Sequence, residues 1–177
     1  MRFTETTLPG AFVVDVERHE DERGFFARSW CTQEFRDRGL NPCVVQCNIS
    51  WNRIKGTLRG MHYQATPHAE VKLVRCTRGS VYDVIVDLRE RSPTYLGHVG
   101  VELSADSHRA LYIPDGFAHG FMTLEDDTEV FYQMSGLYEP SAAKGVRWND
   151  PAFGIDWPLP VSMISSRDRD YADFRTV

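Results

Sequence analysis

The strongest constraint on the fold is a rhythm of short β-forming runs broken by turn residues. The run "CVVQCNISW" alternates, with Val45, Cys47 and Ile49 on one face and Gln46, Asn48 and Ser50 on the other. That is the two-residue period of a strand. "EVKLVRCT" alternates too, setting Val71, Leu73 and Arg75 against Lys72, Val74 and Cys76. "AFVVDVERH", "SVYDVIVDLR", "VGVELS", "RALYIP" and "TEVFYQMSGLY" complete a series of short strand candidates rich in β-branched and aromatic residues. Many short strands with turns between them predict an all-β sandwich or barrel. Helical signal is confined to "TQEFRDRGL", where Thr32 can cap, Glu34 favours the first turn and Gly39 can end a short helix. "NDPAFGIDWPLP" reads as irregular chain laid on the barrel by Phe153 and Trp157.

A chain of 177 residues fits one domain, residues 1–177, with a sizeable core. No apolar run approaches the length of a membrane span. The opening "MRFTETTLPG" carries acid and hydroxyl residues where a signal peptide needs an apolar core, so a cytoplasmic location is expected. The net charge of −5, with no run of Lys or Arg, argues against a nucleic-acid surface. Of the four cysteines, Cys43 and Cys47 are four apart, but no second Cys/His pair completes a zinc site. Reduced, mostly buried thiols are expected.

Two stretches carry histidines in a telling context. "GTLRGMHYQ" puts His62 six residues after Gly56, with Gly79 closing the next strand turn. "IPDGFAHGF" contains Pro-x-Gly-x-x-His, ending on His119. Together they resemble the two half-motifs of cupins, double-sheet jelly-roll barrels. A metal-binding cupin would have histidine two residues after His62, where this chain has Gln64, and Glu70 falls too late for the usual acid. A neutral amide is a poor transition-metal donor, so a metal-free barrel is expected. Gln46, Asn48, His62, Gln64 and Lys72 occupy alternating positions on neighbouring strand candidates. Facing inward, they would make a polar interior, which costs free energy unless its groups pair or bind something. A small polar molecule is the expected occupant.

With those residues assembled, the sequence resembles the dTDP-4-dehydrorhamnose 3,5-epimerase family. The resemblance runs through "DERGFF", "VVQCNIS", "GTLRGMHYQ", "VKLVR", "GSVYDVIVDLRERSPTY", "IPDGFAHGF", "VFYQMSGLYEP", "RWNDPAFGIDWP" and "ISSRD". It implies a jelly-roll homodimer with N-terminal strands exchanged between partners, acting without metal or cofactor. The implied substrate is a nucleoside-diphosphate 4-keto-6-deoxyhexose, whose C3 and C5 hydrogens are acidified by the C4 ketone. By resemblance His62 is the base, held by Asp168, and Tyr132 is the acid on the other ring face. Lys72 faces the developing enolate. Histidine, with an ordinary pKa of about 6.5, suits a base at neutral pH. Arg59 and His119 resemble sugar and diphosphate contacts, and a planar guanidinium fork suits phosphate. The resemblance further assigns substrate contacts to Gln46, Asn48, Gln64 and Arg167, and to Tyr138, which is linked to whether one or both carbons are inverted. Arg23 and Phe26 would reach across the dimer to the nucleotide.

Two positions depart from the family pattern. Arg28 stands where the family usually has a glutamate toward the thymine end, and Ala143 stands where an acid is usual. Arginine has no acceptor for the thymine N3 hydrogen, so the sequence also admits a CDP- or GDP-linked substrate. The same residues are compatible with inversion at one carbon only, with a related sugar ketoisomerase, with a non-catalytic sugar-binding cupin and with a metal-dependent cupin dioxygenase. The missing second histidine weakens the last.

Overall fold

The computed structural model describes residues 1–174. The chain opens with β1 (Arg2–Glu5), β2 (Phe12–Asp15), β3 (His19–Asp21) and β4 (Gly24–Phe26), then α1 (Thr32–Arg36). The central strands are β5 (Gln46–Asn52), β6 (Thr57–Gln64), β7 (Lys72–Arg78), β8 (Ser80–Asp87) and β9 (His98–Ser104). After β10 (Ala110–Ile113), β11 (Phe117–Thr123) and β12 (Thr128–Met134) come the short β13 (Ala143–Gly145), β14 (Met163–Ile164) and α2 (Ser166–Arg169). No helix among the described residues is long and apolar enough to cross a membrane.

Two sheets make the double-sheet jelly-roll barrel expected from the strand pattern. One runs β1-β2-β10-β7-β12-β5; the other runs β13-β6-β11-β8-β9, with β14 added parallel to β6. Between them lie Val74, Cys76, Val81, Ile85, Leu103, Leu111, Ile113, Phe117, Phe121 and Val130. These come from the inward positions of strands with period two, as the alternation required. Each sheet also has a covered outer face. Phe35 of α1 packs with Val14, Leu73, Ala110 and Tyr112 outside the first sheet. The C-terminal segment covers the second, with Phe153 buried and Trp157 packed beside it, as the sequence indicated. Covering both faces explains why β7 is buried at three successive residues, Lys72 to Val74.

The helix differs in one detail from its sequence reading. Cys31, not Thr32, occupies the cap position, and no side chain caps the helix. Buried Phe35 holds it instead, edge-on to Phe3 at 5.1 Å. The cysteines also differ: only Cys76 is buried, while Cys43 and Cys47 are exposed. Cys47 shares the outward face of β5 with Ile49, 64% exposed, and Trp51. On that edge strand the polar side points into the barrel and the apolar side points out.

One network anchors the β8–β9 connection. Asp87 is wholly buried and accepts hydrogen bonds from the Arg89 backbone N–H and guanidinium, from Ser92 Oγ and from Thr94 Oγ1. Burial would raise its pKa; these donors outweigh it and hold the carboxyl down to about 2. A carboxyl depressed on folding stabilises the fold above its unfolded pKa, and that contribution is lost as pH falls toward 2. Asp87→Asn is therefore expected to cost about 2 kcal/mol near neutral pH. Urea unfolding at pH 7 and pH 3 should show the gap between wild type and variant narrowing at the lower pH.

Candidate active site

The site sits where polar residues replace the apolar filling between the sheets. A cavity of about 270 Å³ is lined by Asn48 and Ser50 from β5, Arg59 and His62 from β6, Lys72 from β7, His119 and Phe121 from β11, and Tyr132 and Met134 from β12. Strands β5, β7 and β12 belong to one sheet, and β6 and β11 to the other. His62 and Tyr132 thus enter the cavity from opposing sheets.

Local sequence explains how His62 and His119 come side by side. They are directly paired in the β6–β11 register, next to an irregularity between His119 and Phe121. Gly60 has a φ of +130°, and a Cβ there would fall 2.5 Å from the Gly120 Cα. The glycines of "RGMH" and "AHGF" let the two strands touch backbone to backbone at this point.

Asp168 closes the site from behind. Its Oδ1 lies 2.7 Å from His62 Nε2, and its Oδ2 accepts from the Gly60 N–H at 3.2 Å. The C-terminal segment reaches β6 because β14 pairs with it in parallel, Met163 opposite Thr57 and Ile164 opposite Leu58. Ser165 then caps α2 by accepting from the Asp168 N–H. Burial pushes the Asp168 pKa up, but the bond to His62, that ring's charge, the Gly60 N–H and Ser165 outweigh it, so the carboxyl titrates below its usual range. It is ionised at neutral pH.

On the facing sheet, burial pushes the Tyr132 phenol well above its ordinary value, the nearby Asp83 charge adds to this, and Arg59 pulls the other way. Tyr132 therefore holds its proton at neutral pH, and Arg59 eases the charge left if it gives that proton up. Arg59 is itself fixed, donating from Nε to Asn52 Oδ1 at 2.7 Å and to the Trp51 carbonyl.

A second opening of about 190 Å³ adjoins the cavity and shares His62 and Lys72 with it. Gln64, Tyr138, Ala143 and Arg167 line it. Gln46 touches its rim, accepting from the Tyr138 N–H at 3.2 Å. Gln64 was expected to contact a ligand, but its amide is already engaged. It donates to the His68 and Leu137 carbonyls and to Glu70, and it accepts from the Glu139 N–H. His119 likewise has Nε2 committed to Asp83, at 2.9 Å, and its ring meets Tyr132 edge-on at 6.0 Å.

Arg23, Phe26 and Arg28 are not brought to this cavity within the chain. Arg23 pairs with Asp21 on the exposed β3–β4 hairpin. Phe26, 76% exposed, and Arg28 line a separate hollow with Met1, Glu17, His19 and Glu34. The Arg28 guanidinium is 2.8 Å from Glu34 Oε1.

Sequence reasoning missed the part played by three residues. Asp83 was detectable as an acid between Val81 and Ile85 on the inward face of β8. Glu70, misplaced for a metal ligand, lies 3.5 Å from Lys72. Tyr171 left no signal. It packs edge-on to His62 at 6.2 Å, accepts from Arg167 Nε at 2.8 Å, and rests on Gly145, where a Cβ would overlap its ring. Among the described residues no three His, Cys, Asp or Glu side chains gather as a metal site.

The fold and the cavity define a cupin-type barrel with a polar pocket between its two sheets. A family model described as dTDP-4-dehydrorhamnose 3,5-epimerase matches residues 5–176. The dTDP-4-dehydrorhamnose 3,5-epimerase of Methanothermobacter thermautotrophicus is 42% identical over 177 residues, covering 98% of this chain and 95% of that protein. The crystal structure of the enzyme from Elizabethkingia anophelis superposes with a TM-score of 0.95 at 38% identity, covering 98% and 96% of the two chains. The one from Bacillus anthracis, solved with TDP and PPi bound, gives 0.94 at 39%, covering 98% and 99%. The chain belongs to the dTDP-4-dehydrorhamnose 3,5-epimerase family and is an isomerase.

The Gly60–Gly120 contact sets the register of the site, so Gly60→Ala should be costly. A side chain there meets backbone and demands a φ that L-residues avoid. A loss of at least about 2 kcal/mol is expected, read as a lowered thermal midpoint beside a wild-type control.

Proposed function

We propose that the chain inverts C3, C5 or both in a dTDP-linked 4-keto-6-deoxyhexose by proton transfer through an enolate. The observation that carries this reading is the His62–Asp168 pair on one sheet facing protonated Tyr132 on the other, with Lys72 in the wall between them. Inversion requires a proton to leave one ring face and return on the other. His62 takes the hydrogen beside the ketone, and Asp168 fixes the ring and stabilises the imidazolium. The electron pair moves onto the C4 oxygen, where Lys72 meets the charge. Preorganised charge of that kind is worth roughly 10²–10³ in rate at comparable oxyanion sites. Tyr132 returns a proton from the opposite side, Arg59 and Asn48 hold the sugar and diphosphate, and His119 shapes the wall beside Tyr132. Tyr138 and Arg167 sit where the glycosyl diphosphate would leave the cavity. No metal or cofactor is needed.

The nucleotide reading follows the relatives. TDP is bound in the B. anthracis protein. Arg28, the residue that suggested another base, has its guanidinium turned to Glu34 of its own chain. That supports dTDP over CDP or GDP.

The proposed working form is a homodimer of single-domain chains in the cytoplasm. Cys47, Ile49 and Trp51 on the outer face of β5, with Val45 just before it, present an apolar row that a second copy would bury. Strand β1 pairs with β2, and β2 with β10, within the chain. The segment free to be exchanged is therefore the exposed β3–β4 hairpin, carrying Arg23 and Phe26 to the partner's nucleotide end.

His62→Ala and Tyr132→Phe should each lower turnover of the dTDP-sugar by about 10³-fold or more while leaving the melting temperature near wild type. Assayed in parallel, wild-type enzyme should turn over the CDP- and GDP-linked sugars far more slowly. Full activity in His62→Ala, or a preference for CDP or GDP, contradicts the reading.

A further inference from the structure

Lys72 is the one ammonium in the cavity wall, and it is almost dry. Its side chain is 9% exposed, and that of Glu70 is 7% exposed. The two charges lie 3.5 Å apart, and Lys72 Nζ also reaches the His62 carbonyl at 3.5 Å. Burial disfavours both charged forms. It pushes the Lys72 pKa down and the Glu70 pKa up, and in each case the other member of the pair pulls back. A buried ammonium without a partner gives up its proton rather than remain charged.

The second oxygen of Glu70 is not idle. Oε2 accepts from Gln64 Nε2 at 2.8 Å. The same amide grips the 137–139 turn through the Leu137 carbonyl and the Glu139 N–H. Gly136 lets that turn lie on Glu70, since a Cβ there would come within 3.3 Å of the Glu70 Cβ. The loop bearing Tyr138 is thus fastened over the ion pair.

Other charged and titratable groups face Lys72. His62 and Arg59 do so from β6, His119 from β11 and Tyr132 from β12. Asp83 on β8 also favours the ammonium, but its carboxylate is taken up by His119. Glu70 is the acid left to serve Lys72.

We propose that Glu70 is a positioning residue: its carboxylate keeps the Lys72 ammonium charged and aimed into the cavity, with Gln64 and Gly136 holding that carboxylate fixed and dry. The inference rests on the reading of Lys72 as the group that meets the enolate. It adds a requirement that the reaction scheme does not contain, a second ionised side chain that never touches substrate.

The chain has three lysines, Lys55, Lys72 and Lys144. Full-length protein grown with carbon-13-labelled lysine gives three titrating signals, with Lys72 assigned by Lys72→Arg. In Glu70→Gln the Lys72 signal should titrate lower by about one pH unit or more, with Lys55 and Lys144 unmoved. The alkaline limb of the turnover profile should move with it. Glu70→Asp keeps the charge and should restore titration close to wild type. An unmoved Lys72 signal in Glu70→Gln, or equal shifts in both variants, overturns the proposal. A shifted signal with an unmoved turnover profile upholds Glu70 as the keeper of the lysine's charge and removes Lys72 from the reaction instead.

Discussion

The site depends on one carboxylate. Asp168 ties a C-terminal helical turn to the middle of β6 by bonding the His62 ring and the Gly60 N–H together. His62 projects from β6 between His119 of β11 and Gly145 of β13, with Tyr171 edge-on to its ring and Asp168 bonded to its Nε2. Its orientation comes from the C-terminal segment, laid along β6 by the parallel β14 pairing and seated against Gly56 by the Ser162 N–H. Asp168 is mostly buried, so its charge is stabilised only by the donors around it. Ring, strand and C-terminal turn therefore stand or fall as a unit.

The barrel interior is divided accordingly. Toward β9 and β10 it is filled by buried Leu103, Leu111 and Ile113. Toward β5, β6 and β12 it is polar, and such a region is tolerable only if its groups are satisfied. Most are: His119 by Asp83, Lys72 by Glu70, Gln64 by four partners, and Arg59 by Asn52. Tyr132 stands at the boundary, packed against the apolar core on one side and facing the cavity on the other. That position gives the phenol both its raised pKa and its access to a ligand.

Much of this was legible in the sequence. Alternation in "CVVQCNISW" and "EVKLVRCT" marked the strands, and the paired glycine–histidine stretches marked the site. The polar residues at alternating positions of β5, β6 and β7 do converge, as period two demands. The failures have physical causes. The cysteines were expected to be mostly buried, but β5 is an edge strand whose apolar side faces outward, which leaves Cys47 exposed. A cap depends on backbone angles, so Thr32 and Cys31 could not be told apart by residue type. Gln64 is polar, inward and near the cavity, yet its amide serves the 137–139 turn, a contact 73 to 75 residues away in sequence. Asp83 shows as an acid among inward apolar residues of β8, but its partner His119 lies on another strand, and Tyr171 reaches His62 from the far end of the chain with no local pattern to announce it.

The central claim is that a hydrogen beside the ketone leaves one ring face and returns on the other. Its most direct measure is turnover of the dTDP-linked 4-keto-6-deoxyhexose in heavy water, read by NMR and mass. The account predicts deuterium at the inverted carbon or carbons, C3, C5 or both, with the C4 ketone retained. A product whose ketone has moved to another carbon, or one inverted without deuterium, would contradict it.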